Sequence, residues 1–574
     1  MEVSSPPHRR PNQTTIVMSR NLTALSARKG LSCNLFERLG ELSEKEGAPT
    51  PEELRQLAGE FLMGPANLYG TASFYDFTRP ENKGKKVYVC NGTACRMAGT
   101  QEALKSQLSQ HFQKEEIGEM CCLGRCHENA AFQYQGRNYS GNAIGQLEAI
   151  REESIQNGEG RYTVQALGRP VLTEVMPTLE GCRYAVGQML KGRPEDVMAA
   201  VELSRLRGRG GAGFPLAVKM QACREAYAGQ KFVVCNADEG DPGSYSDRYL
   251  LEQRPITVLL GMLISGYAIG AETGVLYIRA EYPESVTVIE QAIDTLRSAG
   301  LAGKDIMDSG FSFDFKIIKA RGAYICGEET ALLASIEGQR PEVRARPPFP
   351  AQEGLFGKPT LVSNVETLAN LFFILEKGGE AYAATGTGKS TGTKLLSLDG
   401  AFRRPGVYEV PMGTPLQTVV DELGGGFRKP VKALHIGGPL GGLVPALKIP
   451  SLTIDFESFH QEGFLLGHAS VVSVPVSYPM IEYLEHIFAF TAHESCGKCF
   501  PCRLGSKRGE EMLHKAQSEG YRIDRRLFED LLETLEKGSL CGLGGGMPLP
   551  VRNALQYFAE ELKPYFAEQK IAIQ

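Results

Sequence analysis

At 574 residues the chain is too long for a single hydrophobic core, and its length predicts three to five domains. Hydrophobic residues at 42% and charged residues at 22% describe an ordinary soluble globular protein, and a net charge of −5 leaves no general nucleic-acid footprint. No run reaches the ~18 apolar residues that a membrane span needs, which argues against direct membrane insertion.

The chain opens on MEVSSPPHRRPNQTTIVMSR, basic and proline-containing but without an apolar core. Residues 1–20 therefore read as a disordered tail, or as text ahead of a start at Met18, and not as a secretory signal. Fourteen cysteines in a chain of this intracellular character predict metal ligands or free thiols instead of disulfides. From Leu22 to about Leu68 the pattern is one of short amphipathic helices. Pro51 opens one of them at the first helical position after Thr50, with Glu52 and Glu53 in the first turn. The β-rich run KKVYVC then delivers Cys90 at a strand end. Cys90-x4-Cys95 is followed by Cys122-x3-Cys126. Four thiolates from two loops hold an Fe–S cluster or a structural zinc, and spacing separates these poorly. Cys121 is an extra thiol that spacing does not distinguish from Cys122.

A linker is expected near Glu159–Arg169, then a helix at about Pro194–Leu206 leading into RGRGGAGFPLAVK. Gly208, Gly210 and Gly213 satisfy G-x-G-x-x-G, a weak signal that here follows a helix and not a strand. The glycines still permit close backbone approach to a flat ring or a phosphate, and Lys219 adds a cation. The strand KFVVC runs into the acid-rich NADEGDPGSYSDR, which on its own reads as a solvated turn or as part of a site. The stretch from Gly322 to Asn370 is the densest in the chain. It gathers Glu328, Glu329, Arg340, Arg344, Arg346 and Phe349: carboxylates for ribose hydroxyls, Arg for phosphate, Phe for stacking, or else a polar loop between two helices.

GTGKSTGTK (386–394) lacks the full P-loop pattern and reads as a linker. KLLSLDG, GVYEVP and VKALHIGG suggest a small β-rich domain with the GGPLGG run in a turn and no visible chemistry. The last hundred residues are helical and carry Cys496-x2-Cys499-x2-Cys502 on tight turns, with Cys541 after 38 intervening residues. That spacing favours [4Fe–4S] strongly, since a zinc ribbon brings its cysteines as two separated pairs. Cys33, Cys182, Cys223, Cys235 and Cys326 read as packed thiols.

GRGGAGFP, CNADEG-x-PG, YICGEETALL, PPFPAQ and NVETLAN, in this order, resemble the flavin- and NADH-binding subunit of respiratory complex I and of related NAD-linked hydrogenases and formate dehydrogenases. The likeness covers nearly all of residues 160–574. CNGTAC with CLGRCH is similar to the thioredoxin-like [2Fe–2S] subunit that partners it, usually as a separate chain, so this chain looks like a fusion. The resemblance implies a multidomain α/β fold: residues 21–155 helical plus thioredoxin-like, 160–385 a Rossmann-like FMN- and NADH-binding domain, 390–470 a β-grasp (SLBB-like) domain and 475–574 a helical [4Fe–4S] domain. It assigns Cys90, Cys95, Cys122 and Cys126 to [2Fe–2S], and Cys496, Cys499, Cys502 and Cys541 to [4Fe–4S].

By the same resemblance FMN contacts Gly208, Arg209, Gly210, Gly211, Lys219, Asn236, Asp238, Glu239, Tyr324, Gly327, Glu328, Asn364 and Thr367. NADH contacts Phe214, Asp241, Glu329, Arg346 and Phe349. The implied activity is that of an NADH dehydrogenase (diaphorase) passing electrons through its Fe–S clusters, with no side-chain acid or base essential to the hydride step. Implied partners are Fe–S redox subunits and a catalytic subunit holding the final acceptor or donor, in an NAD-linked hydrogenase, a formate dehydrogenase, an electron-bifurcating complex or complex I, cytoplasmic or peripheral to a membrane complex. The chain departs from the complex I form at three places: Asp241 stands for Glu, Arg346 for Lys, and Met220 and Ala222 for an aromatic pair. The rival reading is a non-catalytic Fe–S relay or assembly subunit that no longer binds nucleotide.

Overall fold

The computed structural model describes residues 34–152 and 162–567. The tail at residues 1–20, the start of the first helical run at Leu22, Cys33, and the residues Glu159–Arg161 of the expected linker lie outside the described residues.

Short amphipathic helices at Leu35–Glu46, Pro51–Glu60 and Pro65–Ala72 open the described chain. The second starts as its residues dictate. The Thr50 side chain accepts from the Glu53 N–H, the Glu53 carboxylate takes the Thr50 N–H at 2.8 Å, and Pro51 fills a position that has no donor to satisfy. A four-stranded sheet follows, β1 (Val87–Cys90), β2 (Ile117–Met120), β3 (Phe132–Tyr134) and β4 (Arg137–Tyr139), in the order β2-β1-β3-β4. β1 runs parallel to β2 and antiparallel to β3. Cys90 ends β1 as expected, Cys95 lies on the helix Thr93–Ala98, and Cys122 and Cys126 lie in the loop after β2.

The second sheet is entirely parallel and takes strands β6 (Phe232–Ala237), β7 (Thr273–Ile278), β8 (Asp314–Lys319) and β9 (Thr360–Asn364) in the order β8-β7-β6-β9. FVVCNA and GVLYI are near-continuous apolar runs because helices cover both faces. The helix Pro255–Ile269 is apolar all round and almost wholly buried, and it packs beside the helix Val365–Lys377. Asn236 and Asn364 are register partners at the carboxyl ends of β6 and β9, where an open parallel sheet receives its ligands.

The third sheet has six strands in the order β13-β12-β14-β10-β11-β5. Its members are β5 (Thr163–Ala166), β10 (Thr393–Leu398), β11 (Gly406–Pro411), β12 (Val431–Ile436), β13 (Gly442–Pro445) and β14 (Ser470–Pro475). Two linker expectations are corrected here. The described part of the expected linker, residues 162–169, is no free linker, since β5 lies within it and pairs in parallel with the edge of β11. GTGKSTGTK is built into the structure as well. Thr391, Thr393 and Lys394 are buried, and the Lys394 ammonium is paired with the equally buried Glu366 carboxylate. A lysine stays inside only with such a partner, and nothing in the local text shows it.

The C-terminal segment is helical, with Met480–Glu494, Ser506–Ser518, Arg525–Gly538 and Pro548–Tyr557 packed around Phe488, Phe528 and Leu535. Cys502 lies on a wide helical turn (Pro501–Gly505) and not on a tight turn, and Cys541 caps the short helix Gly542–Gly546. Among the described residues every cysteine is a free thiol, and no helix is long and apolar enough to cross a membrane.

Candidate functional site

The carboxyl ends of β6 and β9 are closed from one side by the Gly208–Gly213 loop. The Arg209 N–H donates to Thr367 Oγ1 at 2.8 Å, and Gly210 lies so close to Asn364 that a Cβ there would stand 2.9 Å from the asparagine Cβ. Gly211 has φ 136° and open space around it, so bare main chain is presented at the cleft. On the other side the turn Tyr324–Gly327 and the helix Glu329–Ile336 approach β6, with Asn236 Nδ2 donating to the Gly327 carbonyl at 2.8 Å. Glu328 caps that helix, accepting from the N–H groups of Thr330 and Ala331 at 2.9 and 3.0 Å. Lys219, on the helix Leu216–Glu225, reaches across to the Val362 carbonyl at 3.0 Å.

Asp238 Oδ2 and Glu328 Oε1 are both buried in this ring without a hydrogen-bond donor. Arg346 Nη2 stands 3.7 Å from the Glu328 oxygen, too far to donate to it. Burial pushes the Asp238 carboxyl well above the usual carboxylate range, against the pull of Arg279. A buried acceptor without a donor is costly unless a ligand completes it. Orphaned acceptors, bare glycine main chain and a lysine at the ends of parallel strands together fit a hydroxyl-rich, phosphate-bearing ring compound such as FMN.

Two of the expected contacts are occupied otherwise. Glu239 turns its carboxylate inward, where it accepts from Ser244, Ser246, the N–H groups of Asp247 and Arg248, and Tyr282. Arg209 is fully buried and donates to Tyr382 Oη at 3.0 Å and to the Thr391 carbonyl.

Among the expected nucleotide contacts, Phe214 and Phe349 are both about half exposed, at 52%, as stacking surfaces must be. Glu329 is held between two cations, with Lys219 Nζ at 3.1 Å and Arg346 Nη1 at 3.0 Å. Asp241 is half-buried, takes a hydrogen bond from Tyr324 Oη at 2.9 Å and lies against Gly438 of the GGPLGG turn. Burial raises its carboxyl above the ordinary range, with His468 and Tyr324 opposing. That turn therefore packs against one of the expected nucleotide contacts, a neighbour its sequence did not disclose. Met220 faces the core, so it presents no stacking surface to a ligand.

The sulfur ligands expected from the sequence converge. Cys122 Sγ is 3.5 Å from Cys126 Sγ, and Cys90 and Cys95 share a hydrogen bond beside them. Cys121 also packs against the apolar cluster around Cys326, on the flavin side. Cys496, Cys499, Cys502 and Cys541 all pack in that same cluster with Tyr324 and Cys326 of the flavin segment. Burial pushes the Cys541 thiol up to about 12, so its thiolate needs a cation such as cluster iron beside it. Both four-sulfur sets therefore fit iron–sulfur clusters.

Comparison with known proteins agrees with this architecture. Family models match at residues 24–154 (thioredoxin-like [2Fe-2S] ferredoxin), 201–372 (Nuo51 FMN-binding domain) and 482–565 (NADH-ubiquinone oxidoreductase-F iron-sulfur binding region). The chain is 42% identical over 388 residues to the NADP-reducing hydrogenase subunit HndC of Solidesulfovibrio fructosivorans, covering 67% of this chain and 79% of that one. It is 40% identical over 392 residues to the NADH-quinone oxidoreductase F 2 subunit of Rhizobium meliloti, covering 68% and 92%. It is 33% identical over 576 residues to the NAD-reducing hydrogenase HoxS subunit alpha of Cupriavidus necator, covering 94% and 93%. The crystal structure of an NAD+-reducing [NiFe]-hydrogenase in the air-oxidized state superposes with a TM-score of 0.81 at 30% identity, over 94% of this chain and 95% of that one.

Proposed function

The chain belongs to the family of Nuo51-type FMN-binding subunits of NADH-quinone oxidoreductases and NAD-reducing hydrogenases, and on that premise we infer that it is the NADH dehydrogenase (diaphorase) module of a larger redox complex. When bound, FMN exchanges a hydride with the nicotinamide, and the Fe–S clusters carry electrons singly toward partner subunits. The observation that carries the reading is the pair of orphaned acceptors, Asp238 Oδ2 and Glu328 Oε1, facing a glycine loop and Lys219.

In this assignment Gly208, Gly210 and Gly211 let the main chain approach the flavin, Lys219 meets its phosphate, and Asn236, Asp238, Tyr324, Gly327, Glu328, Asn364 and Thr367 line it. Arg209 and Glu239 serve as struts that hold the glycine loop and the acid-rich loop in place. Phe214 and Phe349 stack the nucleotide, Glu329 and Arg346 meet the adenosine ribose, and Asp241 sits at the nicotinamide end. No side chain of the chain is assigned a proton-transfer step. The eight cysteines hold [2Fe–2S] and [4Fe–4S] as their grouping suggests.

Partners are Fe–S redox subunits and a catalytic subunit that holds the terminal site. The relative matched along nearly the whole chain is a hydrogenase subunit, which supports a hydrogenase- or dehydrogenase-type assembly in the cytoplasm. Anaerobic addition of NADH to the flavin-loaded protein tests the reading: flavin absorbance bleaches first and cluster absorbance follows. Protein that binds no FMN, or flavin that NADH leaves oxidised, overturns it in favour of a relay subunit. Asp238→Ala weakens FMN binding at least tenfold, by fluorescence titration of apoprotein, and leaves iron content unchanged.

A further inference from the structure

β7 ends at Ile278, and the residues just beyond it, Arg279 to Tyr282, grip the loop that carries Cys122. Arg279 is buried, with 3% of its surface exposed, and its guanidinium spans two loops. Nη1 donates to the carbonyl of Glu239, next to Asp238 in the flavin pocket. Nη2 donates to the carbonyl of Cys122 at 3.0 Å and of Cys121 at 3.5 Å. Glu281, equally buried, pairs with the same guanidinium at 3.0 and 3.2 Å.

Neighbouring groups lock this arrangement. The guanidinium lies 5.0 Å from the centre of the Tyr282 ring, and Tyr282 Oη donates to the Glu239 carboxylate at 3.0 Å. Gly124 passes so near that ring that a Cβ would stand 2.4 Å from it. Asn138 Nδ2 donates to the carbonyls of both Leu123 and Glu281. A lysine could meet one of these carbonyls but lacks the planar fork that meets several at once.

We propose that Arg279 is a positioning residue that pins the Cys121–Gly124 loop to the flavin loop and, by its charge beside Cys122, sets the potential of the [2Fe–2S] site. This rests on the assignment of Cys90, Cys95, Cys122 and Cys126 as the ligands. Reduction brings one electron, from flavin already reduced by NADH, to a site that carries four thiolates. The added negative charge is favoured by a fixed cation in a surrounding with little water to screen it. Glu281 offsets part of that field. Removing Arg279 alone therefore leaves the site facing an uncompensated carboxylate.

The test is a redox titration of the two cluster signals by low-temperature EPR in full-length, flavin-loaded protein, with iron content measured in parallel. In Arg279→Gln the reduced-to-oxidised ratio of the [2Fe–2S] site at a fixed potential falls about tenfold, equivalent to a midpoint about 59 mV more negative. The [4Fe–4S] midpoint stays put and serves as the internal reference. Arg279→Lys shifts the [2Fe–2S] midpoint less, and the double variant Arg279→Gln with Glu281→Gln returns it toward wild type. An unchanged midpoint in Arg279→Gln with full iron overturns the proposal, as does equal loss of [2Fe–2S] iron from all three variants, which would make the residue a support alone. Cys122→Ser separates the two layers. If it abolishes the [2Fe–2S] signal, the ligand assignment stands and the Arg279 results decide. If the signal survives, the assignment fails and the proposal falls with it.

Discussion

Glu329 Oε1 lies 3.0 Å from Arg346 Nη1, a direct ion pair between the acid and the cation proposed to meet the adenosine ribose. With Lys219 at 3.1 Å on its other oxygen, Glu329 is a negative charge held between two cations. In the proposed nucleotide site, a carboxylate at this position would accept from ribose hydroxyls and repel a 2′-phosphate carrying close to two negative charges.

The first prediction follows from that geometry. Wild type prefers NADH, and Glu329→Gln narrows the preference, chiefly by improving NADPH binding, because it takes from Lys219 and Arg346 the counter-charge they share. The expected change in relative kcat/KM is about 5- to 150-fold, or roughly 1–3 kcal/mol. The measurement is kcat/KM for both nucleotides on flavin-replete variant. If both fall together and FMN is lost, Glu329 is a structural acid; an unchanged ratio moves attention to Asp241.

Cofactor content gives the second. Anaerobically purified protein contains about one FMN and about six iron atoms per chain, two from one sulfur set and four from the other. Iron near four, with a single cluster type in EPR, would remove one site.

Cys541 supplies the third. It comes from a helix start far along the chain from its three partners. Cys541→Ala opens one corner of the [4Fe–4S] site and slows electron exit while the flavin stays in place. Stopped-flow absorbance should show flavin reduction by NADH still fast and cluster reduction failing. Unchanged cluster reduction would refute the ligand assignment.

The fourth concerns pH. His468 is buried between Asp247, at 3.2 Å, and Glu239, at 3.9 Å. Burial works against its charge, but the neighbouring carboxylates outweigh it and hold the imidazole up at about 9. A raised folded-state value means a contribution fully present below the unfolded value, roughly 6.5, and lost as pH climbs through about 9. Thermal stability of wild type should fall across that window, by an amount on the order of 3 kcal/mol, and His468→Gln should flatten the slope. A variant with the wild-type slope would assign the effect elsewhere.

The candidate site is legible mainly through the resemblance, which short contiguous texts such as GRGGAGFP, GEET and the cysteine runs carry. Spacing alone leaves the glycine run a weak signal, GEET open to a polar loop and the first cysteine set open to zinc; only the C-terminal set is strongly favoured by its spacing. What stays hidden depends on partners distant in sequence. Glu239 reads as one more acid in an acid-rich loop, yet its carboxylate belongs to the start of the helix Ser246–Gln253 and to Tyr282. Lys394 reads as linker and is a buried ion pair with Glu366. Asp241 meets Gly438 across nearly two hundred positions, a contact that no local period encodes.

The pairing of β5 with β11 carries a consequence for how the chain is made. Thr163 leaves the ribosome about 240 residues ahead of its partner Gly406. At a synthesis rate of about 5–20 residues per second, the early strand waits on the order of ten to fifty seconds for an edge to join. Throughout that interval Thr163–Ala166 has no partner strand, and the sheet that will hold it does not yet exist. A nascent fragment ending anywhere before Gly406 thus carries an exposed β-segment that invites pairing with a second copy, and chaperone demand during translation should peak there.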